Sequence, residues 1–387
     1  MLDESSRTRK RNGTMRIRRR ELLRQFGVAG AATAFLPPFA KSAPSVADSP
    51  TRMVRLNRNE SAYGPCERAK AAFQDAFTEV NRYPSEDVEN LRSAVAVLHG
   101  VQPEDITLGC GSTEIMRMAA EAFLGPGKTL VTASPTFDFI AHAARLVRAE
   151  VRSTTLTRDY AHDLGAMLTA TDTTTGLLYI CNPNNPTGTL TPRSDLEAFL
   201  PKVRSGVSVL IDEAYQDYVT PTGTYASLAA RAAGDPRLIV TRTFSKVYGL
   251  AGLRVGYAVS SAETAKQLAA RRLNMDVNVV AARVALAALS DAAHVKGIAT
   301  LNSNDRQEFF NQVNARMLRC LDSQTNFVLL RTGTSGKEVA GSLRAKGVLV
   351  SAGYPSFEKY IRVSLGLPEE MQAFWRAWDA FMPHHPM

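Results

Sequence analysis

Short apolar runs alternate with segments of helical length between about residues 85 and 271. The runs are rich in β-branched residues, and the clearest lie at 129–132, 177–180, 207–211, 238–241 and 255–259. Short runs separated in this way are typical of βαβ units. The pattern predicts an α/β protein whose large domain holds a mostly parallel sheet flanked by helices.

The segments on either side of this region have a different pattern. Residues 51–65 are rich in turn residues, which indicates an extended arm. From about residue 278 the pattern is mainly helical, with strands predicted at 327–330 and 360–364. A chain of 387 residues exceeds what one hydrophobic core usually supports. We therefore predict an N-terminal arm over 48–84, a large domain over 85–275 and a smaller C-terminal α/β domain over 276–387.

The positive charge is concentrated at the N-terminus. Residues 1–47 contain ten Lys or Arg against three acidic residues, which accounts for seven of the nine net positive charges. The rest of the chain is nearly neutral, which argues against a nucleic-acid partner. No stretch approaches the roughly 20 consecutive apolar residues of a spanning helix, so we predict no stable membrane insertion.

The leader has the order of an export signal. A basic cluster at 18–20 (RRR) precedes a mildly apolar run at 26–36, and small residues follow up to 45–47 (SVA). Basic, apolar and small-residue regions in this order are typical of a secretory signal. The arginines before a weakly hydrophobic run resemble a twin-arginine signal. We predict export, to the periplasm; the alternative is a disordered basic tail on a cytoplasmic protein.

Cysteine and histidine give no sign of a disulfide framework or a metal centre. The four cysteines are widely spaced and include no CxxC pair, and the six histidines show no metal-ligand spacing. We predict neither disulfides nor a metal.

Polar groups follow three of the apolar runs. They lie at 182–188 (NPNNPTG), 212–215 (DEAY) and 243–246 (TFSK). In an open parallel sheet, ligands bind beyond the carboxyl ends of the strands. An amide, a carboxylate, a phenol and a lysine are therefore expected at one rim.

These three segments, with Arg254 eight residues after Lys246, resemble the signatures of class I/II, fold-type I aminotransferases, which use pyridoxal phosphate. Further stretches resemble the histidinol-phosphate aminotransferase family in particular: 59–60 (NE), 63–65 (YGP), 81–84 (NRYP) and 109–114 (GCGSTE). The matches run in order from about residue 55 to 375. The resemblance implies the fold-type I architecture, a homodimer and a bound pyridoxal phosphate.

The resemblance makes Lys246 the residue that holds the cofactor covalently and the general acid and base. A transaminase needs a lysine that is often neutral, and burial beside cationic groups lowers a lysine pKa in the required direction.

Three residues are implied as partners of the cofactor ring. Pyridoxal phosphate withdraws electrons well only if its ring nitrogen keeps a proton, which calls for a facing carboxylate. Asp212 matches that role, although outside the motif it would be interpreted as a helix N-cap. Tyr215 and Asn185 are implied as contacts of the ring hydroxyl oxygen.

The phosphate of the cofactor calls for backbone N–H groups at a helix N-terminus. The glycine-rich segment just before the helical pattern of 114–123 suits this. With the family's other donors, the implied phosphate site comprises Gly111, Ser112, Thr113, Thr243, Ser245 and Arg254, with Tyr83 reaching it from the neighbouring subunit.

The remaining implied contacts concern ring stacking and substrate recognition. Phe137 is placed where the family puts an aromatic over the ring, with core packing as the alternative. Arg362 matches the arginine that grips the acidic group of the substrate, for which a planar fork is suited. Tyr63 and Asn185 are expected in the same pocket.

One departure from the family changes the expected substrate. Where the family carries a second arginine that helps to bind a substrate phosphate, the sequence reads Val350-Ser351-Ala352. We therefore predict amino transfer between an α-amino acid and a 2-oxo acid. The alternatives are a histidinol-phosphate aminotransferase proper, a pyridoxal-phosphate α-decarboxylase or lyase on the same fold, and a cofactor-binding sensor without turnover.

Overall fold

The structure is a computed structural model that describes residues 53–219 and 225–381. The predicted export signal at 1–47 lies outside the described residues and stays a prediction.

A seven-stranded sheet forms the centre of the larger part. Its spatial order is β2-β8-β7-β6-β5-β3-β4, and only β8 runs antiparallel to its neighbours. The prediction of a mostly parallel sheet is therefore confirmed. The strands are β2 (Ile106–Gly109), β3 (Thr129–Ser134), β4 (Glu150–Thr155), β5 (Thr175–Cys181), β6 (Ser208–Asp212), β7 (Leu238–Thr243) and β8 (Gly256–Val259).

Helices cover the sheet because each carries an apolar stripe. The helix Ser85–His99 shows the pattern: its buried Val88, Leu91 and Val95 are spaced by three and four residues and so share one face. It ends at Gly100, whose φ of 65° is the left-handed conformation that favours glycine at a helix C-terminus. The helices up to residue 289 are α1 (Glu67–Ala76), α2 (Ser85–His99), α3 (Ser112–Phe123), α4 (Phe139–Leu146), α5 (Leu164–Thr169), α6 (Arg193–Phe199), α7 (Ala229–Ala232), α8 (Ala262–Ala269) and α9 (Val279–Leu289).

The C-terminal part has its own small sheet and apolar core. Three strands pair antiparallel in the order β11-β12-β9, and β1 (Val54–Arg55) pairs parallel with β10 (Val348–Leu349). Phe309, Phe374 and Trp378 are fully buried in this core. The elements are α10 (Ala292–Ala315), β9 (Phe327–Arg331), α11 (Gly336–Ala345), β11 (Ser351–Tyr354), β12 (Phe357–Ser364) and α12 (Pro368–Asp379).

Helix α9 packs with the N-terminal helices. Most of its buried residues belong to the same apolar cluster as α2 and the large sheet, and Arg283 Nε donates to Asp87 Oδ1 at 2.7 Å. The predicted domain boundaries at residues 84 and 275 stay predictions. Within 53–219 and 225–381, no single helix is long and apolar enough to cross a membrane; α9 and α10, bent by 80°, meet the length and composition criteria only as a pair.

Candidate active site

The carboxyl ends of β5, β6 and β7 open into a cavity of about 1050 Å³. The sheet order makes these strands neighbours, so the polar segments that follow them meet, as the sequence predicts. Most of the predicted site residues line this cavity: Ser112, Thr113, Phe137, Asn185, Asp212, Tyr215, Thr243, Ser245, Lys246, Arg254 and Arg362.

The amine of Lys246 lies in the cavity beside the N-terminal arm. Its Nζ donates to the backbone oxygen of Asn59 at 2.9 Å and lies 5.4 Å from the centre of the Tyr215 ring. Burial lowers the pKa of Lys246 to about 8, and the positive charges of Arg362 and Arg254 act in the same direction, while nearby carboxylates oppose them. The amine is therefore neutral much more often than that of a surface lysine.

Asp212 ends β6 and is 2% exposed. Its Oδ2 accepts from the Tyr179 hydroxyl at 3.1 Å, and its Oδ1 accepts from the Thr241 hydroxyl and from the Ala214 backbone N–H, each at 3.2 Å. Burial raises the pKa of Asp212 to about 6, against these three hydrogen bonds, which lower it. The carboxylate is thus held in place by donors on both oxygens.

The hydroxyl of Tyr215 is fixed by two amides. Asn59 Nδ2 donates to it at 3.0 Å and Asn185 Nδ2 lies at 3.4 Å. The ring packs edge-on against Phe327, with centroids 5.1 Å apart. Burial raises the pKa of Tyr215, so the phenol stays protonated and keeps a hydrogen to donate.

An anion cradle lies at the N-terminus of α3. Arg254 Nη1 donates to Ser245 Oγ at 3.3 Å, and its Nη2 lies 3.5 Å from Thr113 Oγ1. Gly111, directly before the helix, has a φ of 80°, and a Cβ placed there would come within 2.4 Å of Arg254 Nη2. Only glycine lets the guanidinium pack this closely on the helix N-terminus. Backbone N–H groups, hydroxyls and a guanidinium suit a phosphate.

Arg362 is held between two aromatic rings. Its guanidinium carbon lies 5.3 Å from the centre of the Phe327 ring and 5.6 Å from that of Tyr354. Nη1 donates to Asn185 Oδ1 at 2.6 Å, and Nη2 donates to the backbone oxygen of Asn57 at 2.9 Å. The guanidinium is thus fixed in the cavity, as recognition of a carboxylate requires.

Two predicted residues are placed away from this cavity. The Tyr63 hydroxyl donates to Asp305 Oδ2 at 2.8 Å, and Tyr63 does not line the cavity within the described part of one chain. Tyr83 is 82% exposed and does not line it either. The structure brings neither to the lysine, and their roles stay predictions.

Comparison with known proteins identifies the family. The family model for class I and II aminotransferases matches residues 51–377. The chain belongs to this family. It is 37% identical over 326 residues to the histidinol-phosphate aminotransferase of Moorella thermoacetica, covering 84% of each chain. It is 40% identical over 331 residues to histidinol-phosphate aminotransferase 1 of Cupriavidus pinatubonensis, covering 84% of this chain and 88% of the relative.

Solved structures of an aminotransferase and of a decarboxylase share the fold. This chain superposes on the histidinol-phosphate aminotransferase of Sinorhizobium meliloti, solved in complex with pyridoxal 5'-phosphate, with a TM-score of 0.78. The two are 26% identical, and the match covers 85% of this chain and 89% of that one. L-threonine-O-3-phosphate decarboxylase from Porphyromonas gingivalis has a TM-score of 0.75 at 24% identity, covering 86% and 100%, which shows the fold alone.

The aminotransferase is a pyridoxal-phosphate-dependent transaminase, and its cavity fits the cofactor. The cradle that Gly111 leaves open suits the phosphate, Asp212 suits the ring nitrogen and Lys246 offers an amine for covalent attachment. When bound, pyridoxal phosphate supplies a ring that withdraws electrons from the α-carbon of an amino acid.

Some residues of the site have contacts that the sequence does not predict. Asn59 belongs to a stretch that resembles the family, but the sequence predicts no role for it; it holds both Tyr215, through its amide, and Lys246, through its carbonyl oxygen. Tyr179 and Thr241 lie inside apolar runs and look like core residues. The positive φ of Asn59, 54°, is a conformation that asparagine tolerates, but the sequence does not reveal it.

Proposed function

We propose that this transaminase moves the amino group between an α-amino acid and a 2-oxo acid and that histidinol phosphate is a poor substrate. The observation that carries the proposal is the environment of Arg362. Ser351, at the place of the family's second arginine, is directly opposite Arg362 in the strand register and donates its hydroxyl hydrogen to the backbone oxygen of Asn57. One fixed guanidinium matches one carboxylate.

In the proposed reaction Arg362 binds the substrate carboxylate, and Asn185 orients the Arg362 guanidinium. Lys246 would hold the bound cofactor covalently, and its Nζ would be the base that accepts the α-proton of the substrate and the acid that gives it back. Asp212 would keep a negative charge against the ring nitrogen, and Tyr215 would donate to the ring hydroxyl oxygen. The same groups would serve the reaction of the 2-oxo acid.

Transfer from histidinol phosphate is the second candidate, and two observations favour it. The relatives named above are histidinol-phosphate aminotransferases. In addition, Arg58 and Arg145, both exposed, line the cavity and would supply positive charge to a phosphate.

The experiment that separates these candidates follows the visible absorbance of the loaded enzyme as single amino acids or histidinol phosphate are added. A change to the pyridoxamine spectrum with an amino acid, together with release of the matching 2-oxo acid, supports the proposal. The same change with histidinol phosphate alone supports the second candidate. Release of carbon dioxide would instead indicate the decarboxylase chemistry that shares this fold.

We also propose that the active unit is a homodimer in which Tyr83 contacts the cofactor phosphate of the partner subunit. The support is the solvent exposure of four large apolar side chains that lie close together in the sequence: Phe73, Phe77, Val80 and Tyr83. Solvent exposure of several large apolar side chains on neighbouring elements is typical of an interface. Mixing Lys246→Ala and Tyr83→Ala chains tests this, because each mixed dimer would regain one complete site. Activity that stays absent after verified subunit exchange would contradict the crossing of Tyr83.

Export through the twin-arginine route is a further proposal, supported by the basic, apolar and small-residue order of residues 1–47. Replacement of Arg18, Arg19 and Arg20 by lysine in the full chain should retain the enzyme in the cytoplasm. Unchanged localisation by cell fractionation would contradict this route.

A further inference from the structure

The sheet register places two hydroxyl side chains beside Asp212. Asp212 pairs with Cys181 on β5 and with Thr241 on β7. Side chains alternate along a strand, so Tyr179, two residues before Cys181, points to the same face of the sheet as Asp212. The hydroxyls reach different oxygens of the carboxylate: Tyr179 reaches Oδ2 at 3.1 Å and Thr241 reaches Oδ1 at 3.2 Å.

The direction of these hydrogen bonds is fixed by chemistry. An ionised carboxylate only accepts, so both hydroxyls donate to it. Tyr179 is fully buried, and its hydroxyl donates to Asp212 and also contacts the Cys181 thiol, which is buried beside the same carboxylate. A buried phenol that was needed only to fill space would be served as well by phenylalanine, without the cost of burying a hydroxyl.

Asp212 needs such support because it is buried and still has to carry a charge. Burial alone favours the neutral carboxyl group, whereas hydrogen bonds to the ionised form favour the charge. A hydrogen bond to a charged acceptor is worth more than one between neutral groups. The hydroxyls of Tyr179 and Thr241 therefore stabilise the ionised form of Asp212, which is the form that can pair with a protonated ring nitrogen.

We propose that Tyr179 is a positioning residue of the transaminase, whose hydroxyl orients the Asp212 carboxylate and keeps it ionised for its contact with the ring nitrogen, with Thr241 supporting the other oxygen. The inference rests on the proposed role of Asp212. It assigns a function in cofactor binding to a residue within a core strand.

Equilibrium binding to the apoprotein tests it, with two probes. One is pyridoxal phosphate; the other is its 1-deaza analogue, in which carbon replaces the ring nitrogen. Tyr179→Phe should weaken binding of pyridoxal phosphate by on the order of tenfold, since one charge-assisted hydrogen bond is lost, and should leave binding of the analogue unchanged. Tyr257→Phe is the matched control: Tyr257 is equally buried, but its hydroxyl bonds to His99 at 2.9 Å. It should change neither affinity.

Three results would overturn the inference. If Tyr179→Phe weakens binding of both probes equally, the role of Tyr179 is structural. If it weakens binding of neither, the hydroxyl does not contribute to cofactor binding. Asp212→Asn distinguishes a failure of the proposed role of Asp212 from a failure of the role of Tyr179 alone. If this variant fails to weaken pyridoxal phosphate selectively, the role of Asp212 fails and the inference with it; if it succeeds and Tyr179→Phe does not, only the inference fails.

Discussion

Ser351 and Arg362 are paired residues on the antiparallel strands β11 and β12. Arg362 Nη2 lies 3.5 Å from Ser351 Oγ, so the serine hydroxyl borders the guanidinium. A second arginine at position 351 would stand beside the first and double the positive charge at this point of the cavity. Under the proposed function, residue 351 therefore sets how much negative charge of a substrate this part of the cavity can bind.

Ser351→Arg is expected to raise kcat/KM for histidinol phosphate by about tenfold or more, because a second guanidinium can share a phosphate with Arg362. Steady-state kinetics with histidinol phosphate and with the best amino acid measures the change. Ser351→Ala is the control, since it removes the hydroxyl without adding charge. An equal rise in the alanine variant would show that charge is not the cause.

Arg362→Lys should lower kcat/KM for the amino acid about 10- to 100-fold. Lysine keeps the charge but loses the planar fork and its simultaneous bonds to Asn185 and Asn57. The affinity of the apoprotein for pyridoxal phosphate should stay close to that of the unchanged enzyme. If kcat/KM is preserved, Arg362 is not the carboxylate-binding residue.

The lowered pKa of Lys246, about 8, predicts how the apoprotein takes up its cofactor. Only the neutral amine attacks, so the rate of covalent uptake should rise about tenfold per pH unit below pH 8 and level off above it. Stopped-flow absorbance between pH 6 and 10 measures this profile. Arg362→Met removes a neighbouring positive charge and should move the inflection to higher pH. A rate that still rises up to pH 10 would mean that the amine behaves as a surface lysine.

Gly111→Ala should weaken binding of pyridoxal phosphate at least tenfold. The new Cβ would displace Arg254 from the cradle, since the distance to Nη2 would be 2.4 Å. Gly100→Ala is the matched control: Gly100 also has a positive φ, 65°, but a Cβ there meets nothing within 4 Å. It should cost about 1 kcal/mol of stability and leave cofactor binding intact. Equal loss of affinity in both variants would point to backbone strain instead.

The sheet was largely predictable from the sequence, and its exceptions have a physical cause. The buried strands β5 and β6 read as continuous apolar runs, because both of their faces are covered. The edge strand β4 (EVRSTT) is mostly polar and half exposed, so it lacks that signal and no strand was predicted for it. Strand β2 (ITLG) has only two large apolar residues, separated by a threonine, and leads directly into the glycine-rich segment, so it does not form a continuous apolar run.

The candidate site was predictable where a motif marks it and not where only the fold does. Lys246, Asp212 and Asn185 come from segments that the resemblance identifies, and the sheet order brings them together. Tyr179 acquires its contact with Asp212 from strand pairing, which no local pattern specifies. Tyr63 bonds to Asp305 on α10, 242 residues later in the chain, a long-range contact that the sequence does not encode locally.

The central claim is that the pyridoxal phosphate of this transaminase is held by Lys246. The most direct test is reduction of the loaded enzyme with borohydride, followed by proteolysis and mass spectrometry of the peptides. The claim predicts one stoichiometric pyridoxyl group, on the peptide that contains Lys246, and its loss in Lys246→Ala. A stoichiometric label on another lysine, or unchanged labelling of the alanine variant, would contradict it.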